Sequence, residues 1–159
     1  MKFIAHRGNT RGRNLDMENT VGYINAALAL GFDVEIDIRY INGKFYLGHD
    51  EPMEKVSIEF FLNSRIWVHA KTIKTLHKLL HYSSVICFFH QRDRCTLTSN
   101  GYVWTFPYKG TSYGEDSIVV LPESLGGGLM DFTRIAGICS DYIEAYKEQM
   151  LEGEYYEQC

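Results

Sequence analysis

The run Asp33-Val34-Glu35-Ile36-Asp37-Ile38-Arg39 does most to limit what this chain can become. Apolar Val34, Ile36 and Ile38 alternate with Glu35 and Asp37, the period-two pattern of a strand. Side chains two apart on a strand share a face, so both carboxylates are committed to the same side. Two ionised carboxylates side by side are costly to bury unless a cation or a proton is shared between them. An acidic pair opposite an apolar face therefore points to a hard-metal site. Taken alone, a Glu-x-Asp is more commonly an edge strand with one solvated face. The residues around the pair decide between the two readings.

The pattern along the chain is strand and helix in turn. Phe3 to Arg7 reads as a first strand, closed by Gly8 and followed by a polar loop to Met17. Val21, Ile24 and Leu28 with Ala26, Ala27 and Ala29 give helical spacing, capped by Asn19 or Thr20 and stopped by Gly31. The acidic strand follows. Asn42-Gly43 then turns the chain into a third strand, Lys44 to Gly48, as a hairpin. Ser57 to Asn63 reads as a short helix, Arg65 to Lys71 as a fourth strand, and Thr72 to Tyr82 as a helix with Ile73, Leu76, Leu79 and Leu80 on its apolar face. Val85 to His90 is a continuous apolar strand of the kind buried on both faces. Further strands are expected at Tyr102 to Phe106, Ser117 to Leu121 and Ala136 to Ser140, and a terminal helix at Ile143 to Leu151. An acidic, tyrosine-rich tail, Glu152 to Cys159, follows.

Eight strands, with helices clearest in the first half, give an α/β fold: a compact (β/α)8 TIM-type barrel with reduced helices in its second half. A doubly wound open sheet is the fallback, but the glycine fingerprint after the first strand is missing. The 159 residues suit a single domain spanning 1–159. A net charge of -4 argues against a nucleic-acid binder, and no apolar run approaches the roughly 20 residues of a membrane helix. Cys87, Cys95, Cys139 and Cys159 form no CxxC pair, and Cys87 and Cys139 sit in apolar runs. That use of cysteine, with no secretory signal in view, leads us to expect a cytoplasmic protein.

Polar residues gather at one end of this pattern. His6 and Arg7 end the first strand, Glu35 and Asp37 lie late in the second, and His49 follows the third. His69 and Lys71 end the fourth and His90 the fifth. In a parallel barrel these ends form one rim, where catalytic groups of that fold collect. Ile4-Ala5-His6-Arg7-Gly8, Glu18-Asn19-Thr20, Glu35-Ile36-Asp37 and His49-Asp50 then resemble, in order and approximate spacing, the glycerophosphodiester phosphodiesterase family of phosphatidylinositol-phospholipase-C-like barrels. Lys71 matches the lysine of the next strand in that family, and Ile138-Cys139-Ser140-Asp141 is similar to its final strand. Trp104-Thr105 resembles a late tryptophan motif, one strand early.

The resemblance implies a phosphodiesterase using a divalent cation held by Glu35 and Asp37. Arg7 and Lys71 would hold phosphate oxygens, and His6 and His49 would act as the general acid–base pair. Glu18 would orient a catalytic group or reach the metal region. Where the family has a third acidic ligand this chain has His69, a neutral and borderline ligand, so magnesium or manganese is expected to serve better than calcium. His90 is expected to line the pocket or pack in the core, and Trp104 and Phe106 to wall the substrate or join the core. Gly126-Gly127-Gly128 reads as a phosphate cradle or a plain connector. His77 and His81 read as solvent-facing. The expected partner is a small-molecule phosphodiester. The alternative is a catalytically degenerate barrel that binds phosphorylated ligands or a protein partner without turnover.

Overall fold

Local signals in the chain set most of its elements. The computed structural model describes residues 1–108, 110, 112–125 and 132–156, with 152–156 in backbone only. Its strands are β1 (Lys2–His6), β2 (Asp33–Ile41), β3 (Lys44–Leu47), β4 (Lys55–Val56), β5 (Ile66–Ala70), β6 (Ile86–Phe88), β7 (Cys95–Leu97), β8 (Val103–Thr105), β9 (Ser117–Val120) and β10 (Gly137–Ser140). The helices are α1 (Val21–Ala29), α2 (Ile73–Leu79) and α3 (Ile143–Tyr156), with 3-10 turns at Ile58–Leu62 and Pro122–Leu125. Thr20 caps α1, its hydroxyl accepting from the Tyr23 N–H, and Thr72 caps α2 in the same way through the Thr75 N–H. Asn42 and Gly43 both take positive φ, the primed turn that matches the twist of a two-residue hairpin.

The result is a mixed, mostly parallel sheet. β8, β9, β10, β1, β2, β5 and β6 lie side by side in that order, each parallel to the next, so the first and last strands of the chain are neighbours. β3 was expected both as the return of the Asn42-Gly43 hairpin and as one of eight barrel strands. The hairpin forms: β3 runs antiparallel along β2, and it therefore cannot be one of a set of parallel strands. β4 extends that hairpin, and β7 pairs antiparallel with β8. Neither β4 nor β7 has a hydrophobic alternation long enough to read from sequence. The helix expected at Ser57 to Asn63 is a 3-10 turn. On α2 it is Thr75 and Leu79 that are buried, while Ile73 and Leu80 face solvent. His77 and His81 are exposed, as expected.

Each face of the sheet has its own core. Ala5, Val34, Ile36, Ile38, Val68, Ala70 and Val119 pack under Ile24, Ala27 and Leu28 of α1, Leu79 of α2 and Ile143 of α3. The opposite face gathers Ile4, Trp67, Phe88, Trp104, Ile118, Val120 and Cys139 into a second cluster. Trp67 on β5 and Trp104 on β8 lie five strand steps apart, roughly 24 Å in a flat sheet. Their ring centroids are 5.9 Å apart, so the sheet is strongly curled around this second cluster. Between β6 and β8 the Ser99 N–H donates to the Cys87 carbonyl, and the Cys87 N–H donates to Ser99 Oγ. Cys87 and Cys139 are buried, and Cys87, Cys95 and Cys139 form no disulfide. Among the described residues no helix is long and apolar enough to cross a membrane. The triple glycine at 126–128 and Cys159 lie outside the described residues.

Candidate functional site

Parallel register brings the polar strand ends together. His6 pairs with Glu35, and Asp37 with His69, across neighbouring strands. Glu35 and Asp37 are both buried, as their place on the concave face of β2 requires. A buried carboxylate needs partners, and Asp37 has four. Arg7 Nε lies 3.0 Å from its Oδ2 and Lys71 Nζ 3.2 Å from its Oδ1. His69 Nδ1 lies 3.1 Å from Oδ1, and Asn19 Nδ2 donates to Oδ2 at 2.9 Å. Burial works to raise the Asp37 pKa, but His69, Arg7 and Lys71 outweigh it and hold the carboxyl well below its ordinary range. Glu35 is pushed up, first by burial and then by the charge of Asp37.

Arg7 is held in a left-handed conformation, φ 54°, that a non-glycine residue adopts only where its surroundings enforce it. Its N–H donates to the Glu35 carbonyl at 3.0 Å, and its carbonyl accepts from the Asn19 N–H at 3.1 Å. The turn swings the guanidinium between Asp37 and Glu18, whose Oε2 accepts from Nη1 at 2.8 Å. Glu18 Oε1 also accepts from Arg13 Nε. Glu18 therefore braces Arg7 and does not join the donor set.

The two candidate acid–base histidines differ in environment. His6 Nδ1 lies 2.8 Å from Asp141 Oδ1, which also accepts from Asn9 Nδ2. Burial lowers the His6 pKa, but the Asp141 hydrogen bond and the charge of Glu35 more than offset it and leave it raised. His49 Nδ1 lies 2.8 Å from Asp50 Oδ1 on a more open edge. There burial, with the positive charges of Arg7 and Lys71, lowers the pKa despite Asp37. An open cleft of about 260 Å³ runs past His49, between Arg7, Glu18 and Asn19 on one side and Asp50 and Met53 on the other.

Among the described residues, Glu35, Asp37 and His69 alone bring three candidate ligand atoms within 4.8 Å of one another. The fit to a divalent cation is good in kind: two carboxylates and an imidazole, with Asp37 Oδ1 buried and without a well-aligned hydrogen bond. His69 Nε2 lies 3.4 Å from the His90 carbonyl, a contact that would leave Nδ1 toward the carboxylates. His90 stacks on His69 with ring centroids 4.4 Å apart, and burial, with His69 and Lys71, lowers its pKa to about 4. Trp104 does not reach the cleft: it is 4% exposed and stacks on Phe88 in the curled interior. Phe106, beyond the strand end, is exposed.

Four contributors were not assigned roles from sequence: Asn9, Asn19, Asp141 and Glu123. Asp141 follows the last apolar strand just as His6 follows the first, so the same signal, a polar residue closing a strand, could have found it. Glu123 Oε1 accepts from the Asp141 N–H and from Ser140 Oγ, a contact no local pattern announces. No known protein family, curated protein or solved structure matches the chain.

Proposed function

We propose that this chain is a metal-dependent phosphodiesterase acting on a glycerophosphodiester-like substrate, with the short barrel and residue roles of the family its motifs resemble. The observation that carries the proposal is a pair of imidazoles with opposite pKa shifts beside one buried Glu35/Asp37/His69 group and two cations. What supports barrel closure is the β10–β1 pairing, the Trp67–Trp104 contact and the Ser99–Cys87 bonds.

In this reading the neutral His49 takes the proton from a substrate hydroxyl adjacent to phosphorus. That oxygen bonds to phosphorus as the bond to the leaving alcohol breaks, and protonated His6 donates its proton to the departing oxygen. Water then opens the cyclic phosphate with the two imidazoles in exchanged roles. Asp50 and Asp141 hold the imidazoles by Nδ1, which leaves each Nε2 for the substrate. Arg7 and Lys71 supply positive charge for the phosphate oxygens. A divalent cation bound by Glu35, Asp37 and His69 would offset the charge gathering on phosphorus. With an imidazole in place of a third carboxylate, magnesium or manganese serves better than calcium.

Release of the leaving alcohol from a glycerophosphodiester such as glycerophosphocholine, whose 2-hydroxyl is the nucleophile, by metal-stripped protein with each ion added back tests the proposal. The expected result is magnesium- or manganese-stimulated cleavage that falls by about 100- to 10,000-fold, to a measurable residue, in His6→Ala and in His49→Ala. One observation favours a second reading, the degenerate barrel that binds a phosphorylated ligand without turnover. Both Asp37 oxygens already face Arg7, Asn19, His69 and Lys71, so the carboxylate is compensated by the protein's own groups. A folded chain that binds phosphate but cleaves no diester with any divalent ion would establish that reading and overturn the first.

A further inference from the structure

The His49 segment is poorly secured by its own side chains. Its imidazole has one hydrogen-bonding side-chain partner among the described residues, Asp50, whose carboxylate is itself 90% exposed. The backbone here is special: Gly48 has φ 136°, and a Cβ at that position would sit 2.0 Å from the Glu51 carbonyl oxygen. The Gly48 N–H donates to the Asp37 carbonyl. What holds the two carbonyls that flank the His49 Cα, those of Gly48 and His49, is Arg39. Its Nη2 donates to the His49 carbonyl at 2.5 Å, and its Nε to the Gly48 carbonyl at 3.3 Å. Arg39 follows Glu35 and Asp37 at the strand period of two, so all three side chains leave β2 on the same face.

A guanidinium is suited to this task, because its planar donors can grip two acceptors at a fixed angle where an ammonium offers only a point charge. We propose that Arg39 is a positioning residue for His49, so that β2 carries two of the three candidate cation ligands together with the clamp that aims the candidate base. This rests on the phosphodiesterase reading for its kinetic consequence but not for its structural one. A side chain acting only through His49 has nothing left to act on once the imidazole is gone, and a double-mutant cycle reads that directly.

The test compares Arg39→Met, Arg39→Lys, His49→Ala and Arg39→Met/His49→Ala in cleavage of glycerophosphocholine, whose 2-hydroxyl is the group His49 would deprotonate. Misplacing a reacting group by about 1 Å costs up to about 100-fold. We expect Arg39→Met to lower kcat by about 10- to 100-fold with KM nearly unchanged, and Arg39→Lys to recover only part of that. On the His49→Ala background the same change should cost less than about 3-fold, well below its effect on the intact chain. Full additivity would overturn the clamp. In parallel, the imidazole NMR signals of His49 should shift or broaden in Arg39→Met while those of His6 stay in place. Unmoved His49 signals would overturn the proposal even if the intact chain cleaves no diester, which is the separate failure of the phosphodiesterase reading.

Discussion

At the scale of single residues, the site works by pushing like groups apart. Glu35 and Asp37 are chemically similar and sit on one strand face, yet burial raises one while His69 and two cations depress the other. The two histidines divide in the same way. In the proposed reaction His49 must be neutral to accept a proton, and its pKa lies below the ordinary 6.5. Activity should therefore persist as pH falls through 6.5 and be lost only at lower pH, where His49 protonates. Since the Asp50 hydrogen bond raises the His49 pKa, Asp50→Asn should move the acidic limb of the kcat/KM profile to still lower pH. A limb centred above 6.5 would contradict the assignment. Glu18 offers a stability prediction. It is buried and holds two guanidinium groups, and removing one partner of a buried ion pair costs about 3 kcal/mol. Glu18→Ala should lose an amount of that order in urea unfolding and, by releasing Arg7, also lower kcat/KM.

Among the elements, the β2–β3 hairpin has the largest consequence. Asn42 and Gly43 fold the chain back so that Leu47 pairs with Ile38, and the chain leaving β3 arrives level with Asp37. His49 thus reaches the candidate site from an antiparallel return and not from the end of a parallel strand. Gly48 is the pivot. Gly48→Ala adds a left-handed-region strain of about 1–3 kcal/mol to a direct clash with the Glu51 carbonyl. It should lower the thermal midpoint and, by displacing His49, reduce kcat more than KM. Unchanged turnover in a folded Gly48→Ala variant would detach the hairpin from the chemistry. The 3-10 turn that follows β9 plays the matching part for His6, with Glu123 fixing the backbone of Asp141.

In the molecule as a whole, the curl of the sheet decides what is core and what is site. Trp104 is a buried aromatic in the second cluster, so Trp104→Ala should cost about 3–5 kcal/mol while leaving metal affinity close to that of the parent. The tilted Trp67–Trp104 pair should also give an exciton couplet in the far-ultraviolet circular dichroism that either Trp→Phe change removes. Persistence of the couplet in both single variants would contradict the curl. The elements that could be read in advance are those governed by neighbours in the chain. The β2 alternation, the Asn42-Gly43 turn, the Thr20 cap and the polar strand ends all express backbone periodicity or local hydrogen bonding. They identified Glu35, Asp37, His6, His49, His69 and Lys71 as candidates that share one end. They could not show that Trp104 belongs to the interior or that Asp141 meets His6 across 135 positions. Side-chain direction along a strand is a local property, and the chain carries it wherever it folds. Which strands become neighbours, how deeply each carboxylate is buried and which imidazole has its pKa raised depend on long-range packing and low-dielectric electrostatics, and these arise only once the sheet has curled.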